Sequence, residues 1–563
     1  MPSVSDNIAS HLPDMARRMP DQMAVAFPSG RDGAGQVKYA TYTFSQLDQR
    51  SDQLAHGLDA VGVTRGMRAV LMVKPSLEFF ALTFALFKAG IVPVMVDPGM
   101  GMGNLGQCLK EAEPEAFIGI TKAHVARKIL GWAKESCHKM ITVGPRLFWG
   151  GQTLKQVAHV GDVVMELNGG EGMCVAPEPA DAAAILFTSG STGVPKGVVY
   201  THGIFQDQVR KLKAVYGIEP GDIDLPTFPL FALFAPALGM SSVIPDMDFT
   251  KPGSVDPEKI IEAVKHYQVT NMFGSPALIR RVGFWGREHG VKLPSLKRVI
   301  SAGAPAREDS LRAFSSMLNP DTQIFTPYGA TEALPVASIG SHQVLNKTAA
   351  LTADGKGVCV GRPVDGIDVR IIDITDQPIG DWSDAGQLPV GEIGEIVVKG
   401  DNVTREYFKR EESTRLAKIP DGESFWHRMG DVGYFDEKGD LWFCGRKTHR
   451  VICGQKAKGG DLTHFTIPVE SVFNTHPDVF RTALVGVEIE GLPKPVLCVE
   501  LNPNVAETRR PEIEKELLKL GGQRSLTADV KTILFHPSFP VDIRHNSKIF
   551  REKLTVWATE QLQ

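Results

Sequence analysis

The feature that most constrains this chain is the regular exchange of two hydrophobic periods over its first three hundred residues. MRAVLMV (67–73) is a short apolar run, SLEFFALTFALFKAG (76–90) is helix-length, and IVPVMVD (91–97) is again short. Upstream, TFSQLDQRSDQLAHGLDAVGV opens with a capping box from Thr43 to Gln46. It then repeats apolar residues at Leu47, Leu54, Leu58 and Val61. Downstream, Asp256 and Pro257 form the N-cap and first position of a helix in VDPEKIIEAVKHYQV. The strand TNMFGS, the helix PALIRRVGFWG and the strand LKRVISAG follow. Strands alternating with helices predict an α/β fold of parallel, doubly wound sheets, with ligands at the carboxyl ends of the strands. After about residue 360 the texture changes to short strands with Gly and Asp turns, VRIIDI, GEIGEIVVKG and GDLWFCGR. This predicts a β-rich subdomain over about 358–447. The remaining residues mix strands (TALVGVE, KPVLCVEL, TILFH) with helices (from Pro468, and RPEIEKELLKL), enough for a small α+β domain. The expected organisation is a large N-terminal domain, 1–447, and a C-terminal domain, 448–563.

Composition removes several function classes. The chain has 563 residues, too many for one core, with 61 Lys and Arg against 65 Asp and Glu, for a formal charge of −4. It carries no basic tail or stripe, so nucleic acid is not an expected partner. Seven cysteines without a CxxC pair argue against a disulfide framework or a zinc knuckle, and predict a reducing, cytoplasmic setting. The first twenty residues lack the apolar core of a signal peptide. Residues 225–245 carry no charge over a bilayer-spanning length. However, Pro226, Pro229, Pro236 and Pro245 would break a spanning helix. The expectation is a buried segment that also walls a greasy substrate pocket, and the chain is not expected to be transmembrane.

Two glycine motifs compete for a nucleotide. GMGNLG (101–106) matches GxGxxG after a strand, but AFIGITKAHVARK, where the next strand should end in an acid, has none. A tight turn before a helix explains it. TSGSTGVPKG (188–197) is far more specific. Its glycines let backbone N–H groups approach phosphate oxygens, Thr188, Ser189, Ser191 and Thr192 add hydroxyls, and Lys196 supplies a mobile cation. Glycine after Lys196, where a Walker loop has Ser or Thr, separates it from the phosphate-transferring loops.

This stretch resembles the phosphate loop of the adenylate-forming superfamily of acyl-CoA synthetases, luciferases and peptide-synthetase adenylation domains. Further motifs of that superfamily follow in order. SAGAP (301–305) resembles the loop lining adenine. YGATE (328–332) resembles the motif whose Thr meets the α-phosphate and whose Glu binds magnesium. Gly430–Asp431 and Gly445–Arg446 resemble the ribose contacts, and NSKIFR (546–551) resembles the segment with the essential lysine. The resemblance covers nearly the whole chain. It implies ATP as co-substrate and Mg²⁺ on Glu332 with Thr188. It implies Lys548, Thr331 and Glu332 as catalytic groups. ATP or AMP would be held by Thr188, Ser189, Gly190, Ser191, Thr192, Gly193, Lys196, Gly303, Ala304, Pro305, Tyr328, Gly329, Asp431 and Arg446. Tyr328 is expected either to stack on adenine or to be plain core.

The chemistry suits these residue types. A carboxylate is a poor electrophile, and attack on the α-phosphorus of ATP turns its oxygen into part of AMP, a good leaving group. Two anions must meet, so cations are required at the reaction centre.

The departures are as telling. The hinge position, usually Asp or Lys, is Thr448. About nine extra residues around KAKGGDLTHF separate the hinge from Pro468-Val469-Glu470; such a loop need not destabilise the protein but would alter a CoA path. Ala232 stands where acyl-CoA synthetases commonly carry His, and Ser547 where Gly is usual. In these features, together with PLFALFAPALGMSSVIPDMDF, TPYGATEALPVASIGS and IRHNSKIFREKL, the chain resembles the β-lactone synthetase branch of bacterial long-chain olefin biosynthesis. That resemblance implies a long 2-alkyl-3-hydroxy fatty acid as substrate, closure of the lactone by the substrate's own hydroxyl, and partners in an olefin-forming assembly. Phe231, Ala232 and Phe234 would line the acyl pocket. The nearest rival is a long-chain fatty acyl-CoA synthetase. No base for the hydroxyl proton is assigned; His202, just after the phosphate loop, is a candidate by neighbourhood, beside the reading of a packed structural histidine.

Overall fold

The computed structural model describes residues 6–188, 195–455, 461–489, 491–541 and 549–563. The predicted alternation builds two sheets. One has seven strands in the order Gln152–Thr153, Lys139–Val143, Ala116–Ile120, Arg68–Met72, Val92–Met95, Ala182–Thr188 and Lys196–Thr201. Every neighbour is parallel except the last pair. The other has fourteen strands. Its doubly wound part runs in parallel through Met23–Arg31, Ser241–Val243, Ile223–Pro226, Asn271–Gly274, Arg298–Ser301 and Gln323–Ala330.

Local chemistry sets the element ends. Thr43 and Gln46 close the expected capping box on the helix Phe44–Ala60. Asp256 caps Pro257–Tyr267 by accepting from the Glu258 amide. The helix Leu77–Lys88 is apolar nearly all round because it is buried nearly all round, between the helix Phe44–Ala60 and the sheet. Gly101, at φ 85°, makes the turn into Met102–Ala112, which accounts for the GxGxxG match. The prolines of 225–245 leave only two four-residue helices, Pro229–Ala232 and Ala235–Leu238, flanked by short strands. Among the described residues no helix is long and apolar enough to cross a membrane.

The β-rich stretch is continuous with the large sheet rather than set apart from it. Ala333–Gly340 pairs with Val358–Pro363, which pairs with Leu441–Arg446, then Ser424–Phe435, Gly394–Gly400 and Ile367–Ile372, all antiparallel. After a 3₁₀ turn at Lys447–His449, the strands Val451–Gln455 and Asp461–His464 form a ribbon before the helix Thr466–Phe473, so Asp461–His464 of the extra residues form a strand. The hairpin Val479–Ile489 and Leu492–Leu501, with Thr532–Phe535 parallel to it, completes a three-stranded sheet. The two apolar clusters of this region contain no residue before Val451. Its contacts with the rest of the chain include Arg524 to Asp354 at 2.9 Å, Arg307 donating to the Phe480 carbonyl, and Val472 and Leu526 beside Gly355.

Candidate functional site

Thr188 ends one strand and Lys196 begins the next, and the two are register partners. Ser189, Gly190, Ser191, Thr192 and Gly193 lie outside the described residues. The Lys196 ammonium sits 4.8 Å over the Tyr407 ring, and the Tyr407 hydroxyl donates to Glu332 Oε1 at 2.6 Å. Burial pushes the Lys196 pKa down while the charge of Glu332 draws it back up. A tyrosine that belongs to neither motif thus joins the phosphate-loop lysine to the YGATE glutamate.

Thr331 and Glu332 form the tip between the antiparallel strands Gln323–Ala330 and Ala333–Gly340. The tip is held through its backbone. Tyr200 donates to the Thr331 carbonyl, and the Thr404 amide and hydroxyl donate to the Glu332 carbonyl at 2.9 and 3.2 Å. A Cβ on Gly329 would fall 2.6 Å from the Ala333 carbonyl oxygen, so the bulged strand needs glycine there. Beneath the tip, the buried Lys418 donates to the Thr404 carbonyl. Burial drops its pKa to about 7, against the pull of Glu332.

Asp431 and Arg446 face one another on neighbouring antiparallel strands. Tyr328 donates to Asp431 Oδ2 at 2.8 Å. Arg446 lies 3.0 Å from Oδ1 as an ion pair, but off the hydrogen-bonding direction, so Oδ1 is a buried acceptor with no hydrogen-bond partner. Burial raises the Asp431 carboxyl above its usual range, opposed by Arg446. Arg446 and Asp431 both also feel the charge of Glu332, which makes one site of the two clusters. Tyr328 is buried, its ring 6.0 Å from Phe443, and its hydroxyl anchors Asp431. Gly303, at φ 104°, with Ala304 and Pro305 forms the turn at the carboxyl end of Arg298–Ser301, the strand beside Gln323–Ala330.

The apolar segment approaches the same tip. Phe231 packs at 4.4 Å on Phe273, Ala232 is fully buried, and Phe234 lies 5.6 Å from Phe205. Phe205 stacks on Tyr200, the residue bonded to Thr331. His202 turns the other way. It is buried at the start of its helix, Nδ1 accepts from the Ile8 amide at 3.2 Å, and burial pushes its pKa to about 4. It is a structural histidine.

Lys548 lies outside the described residues. On either side of it, Val541 and Ile549 form a bridge, and Arg551 pairs with the buried Glu470 at 2.8 Å. Thr448 lies in the 3₁₀ turn between Lys447, paired with Glu395 at 3.1 Å, and Arg450, paired with Asp376 at 2.8 Å.

Sequence reasoning missed Tyr407, Tyr200 and Lys418. Tyr200 lies on the strand that Lys196 begins, while the bridges of Tyr407 with Val198 and of Val403 with Ala333 bring in Tyr407 and, through Thr404, Lys418, with no spacing signal in the sequence. Among the described residues no three His, Cys, Asp or Glu side chains group as a metal site. A single carboxylate, Glu332, suits Mg²⁺, a hard ion that takes few protein oxygens and fills its shell with phosphate and water.

The profile of AMP-binding enzymes matches residues 12–408. The olefin beta-lactone synthetase of Xanthomonas campestris pv. campestris is 51% identical over 562 residues, 99% of this chain and 98% of its own. The enzyme of the same name from Stenotrophomonas maltophilia is also 51% identical, over 99% of both chains. Among solved structures, the amide bond synthetase McbA of Marinactinospora thermotolerans superposes with a TM-score of 0.76 over 98% of this chain and 99% of its own, at 21% identity, a likeness of fold. The chain therefore belongs to the AMP-binding, adenylate-forming enzymes, in one family with the olefin beta-lactone synthetases, and is an ATP-dependent, AMP-forming enzyme.

Proposed function

We propose that the enzyme converts a long-chain 2-alkyl-3-hydroxy fatty acid into a β-lactone, with release of AMP and pyrophosphate. The observation that carries this reading is the 51% identity to two olefin beta-lactone synthetases over essentially full length.

In the first step a carboxylate oxygen bonds to the α-phosphorus of ATP and the bond to pyrophosphate breaks. Lys196 steadies the β- and γ-phosphates, Thr331 orients the phosphoryl oxygens, and Lys548 neutralises carboxylate and α-phosphate together. Mg²⁺, held by Glu332 and Thr188, supplies charge neutralisation on the triphosphate when bound. Asp431 offers Oδ1 to a ribose hydroxyl, with Arg446 beside it and Tyr328 fixing the carboxylate plane. Gly303, Ala304, Pro305 and Gly329 shape the adenine side.

In the second step the 3-hydroxyl oxygen bonds to the acyl carbon. The acyl–phosphate bond breaks, AMP leaves, and the hydroxyl proton is released. The nucleophile is tethered, and its effective molarity offsets part of the ring strain. Residues 1–447 carry the nucleotide contacts, and 448–563 pivot at Thr448 to bring Lys548 in and out. The separate apolar clusters after Val451 support that division. Phe231, Ala232 and Phe234 wall the alkyl chains.

The test is to give purified enzyme ATP, Mg²⁺ and a long-chain 3-hydroxy acid without CoA. Lactone and pyrophosphate in equal amounts are expected. Product only on addition of CoA, as a thioester, would instead establish an acyl-CoA synthetase.

A further inference from the structure

Lys196 and Glu332 carry opposite charges on the same half-buried site, yet no ion pair joins them. Each has Tyr407 as its partner instead. The ammonium lies over the face of the ring at 4.8 Å, and the carboxylate accepts the hydroxyl at 2.6 Å. Tyr407 is itself fixed from several sides. It pairs with Val198, its amide donates to Thr414 Oγ1 at 3.1 Å, and the next amide, of Phe408, donates to the Gly197 carbonyl at 2.7 Å. The ring is buried. A tyrosine so anchored to the strand that begins with Lys196 cannot easily leave the space between the two charges.

We propose that Tyr407 is a positioning residue that keeps Lys196 and Glu332 apart, so that the triphosphate and its metal ion meet two separate, preset charges rather than a closed ion pair. This rests on the reading of Lys196 as a phosphate contact and Glu332 as the metal carboxylate. The ring does the spacing, since a cation is held on an aromatic face without neutralising it. The hydroxyl aims the carboxylate, since a hydrogen bond to one oxygen leaves the other free. Removing the hydroxyl alone and removing the ring therefore have different consequences.

The experiment is calorimetric binding of ATP with and without Mg²⁺ to the full-length enzyme and to Tyr407→Phe, Tyr407→Leu and Glu332→Gln, with KM and kcat for the two Tyr407 variants. Tyr407→Phe keeps the ring. Metal-free ATP is expected to bind it as it binds wild type, while the gain in affinity from Mg²⁺ falls about thirtyfold, the scale of one lost hydrogen bond to a charged group. Tyr407→Leu removes spacer and hydroxyl together: metal-free ATP binding is expected to weaken about fivefold as the ion pair closes, and the gain from Mg²⁺ to fall as it does in the phenylalanine variant. Its KM for ATP rises while kcat at saturation changes less. Tyr407→Leu binding ATP as tightly as wild type overturns the proposal, as does a Tyr407→Phe variant that loses as much metal-free affinity as the leucine variant. If the leucine variant does not fold, the phenylalanine variant decides: an undiminished gain from Mg²⁺ overturns the proposal. Glu332→Gln separates the premise from the inference, because an undiminished metal gain there refutes Glu332 as the metal carboxylate whatever Tyr407 does.

Discussion

Replacing Asp431 tests whether its carboxylate serves the nucleotide or merely balances Arg446. The carboxylate is buried, accepts from Tyr328 at 2.8 Å and lies 3.0 Å from Arg446, while Oδ1 has no hydrogen-bond donor. Asp431→Asn keeps an acceptor for Tyr328 and removes the charge. Stripping the partner from a fully buried ion pair costs about 3–5 kcal/mol. Arg446 retains 37% of its side-chain exposure, so solvent screens most of that loss, and about 1 kcal/mol is the fitting scale. Asp431→Ala also orphans the buried Tyr328 hydroxyl, adding about 1–3 kcal/mol. For function, a hydrogen bond from a ribose hydroxyl to a charged acceptor is worth about 2 kcal/mol, so the amide variant should raise the ATP KM roughly thirtyfold. Initial rates of pyrophosphate release against ATP concentration give the KM, and denaturant titration gives the stability. An asparagine variant with reduced stability but an unchanged ATP KM would assign Asp431 to scaffolding and refute its ribose role.

Lys418 gives a pH-dependent prediction. Its ammonium is buried with one carbonyl acceptor, and its pKa falls from 10.5 to about 7. The unfolded chain therefore binds more protons between these values. The burial penalty is complete below about pH 7, and stability recovers as pH rises toward 10.5. Lys418→Met should be more stable than wild type at pH 6, by on the order of 3 kcal/mol after loss of the hydrogen bond to Thr404, with the gap closing by pH 9. Chemical denaturation at both pH values checks it, and a gap that widens with pH would contradict the sign. Lys548→Ala should lower ATP–pyrophosphate exchange by at least about a hundredfold, the scale of one preorganised transition-state charge, while ATP still binds. Exchange at the wild-type rate would remove Lys548 from the first step.

Much of the local structure was legible because it rests on neighbours in sequence. The capping box at Thr43 and Gln46, the Asp256–Pro257 helix start and the proline breaks of 225–245 all depend on contacts within a few residues. The pairing of Asp431 with Arg446 was within reach as well, since one tight turn, at Asp436–Asp440, joins their strands. What stayed hidden depends on strand order. Nothing in GEIGEIVVKG or GDLWFCGR says that these strands extend the large sheet through Ala333–Gly340. Nor does REYFKR announce that its tyrosine will stand between Lys196 and Glu332, each brought to it by a different bridge. The ribbon after the hinge looks like a loop in the sequence because the strand Val451–Gln455 finds its partner in the inserted residues Asp461–His464.

The central claim is that the carboxyl group is activated and the hydroxyl attacks it, and the fate of oxygen tests this most directly. A long-chain 3-hydroxy acid labelled with ¹⁸O in its hydroxyl is turned over with ATP, and lactone and AMP are weighed by mass spectrometry. The account predicts the label in the lactone ring and unlabelled AMP, with carboxyl-labelled acid passing one ¹⁸O to AMP. Hydroxyl label in AMP, with both carboxyl oxygens kept in the lactone, would mean that the hydroxyl is the activated group and would contradict the account.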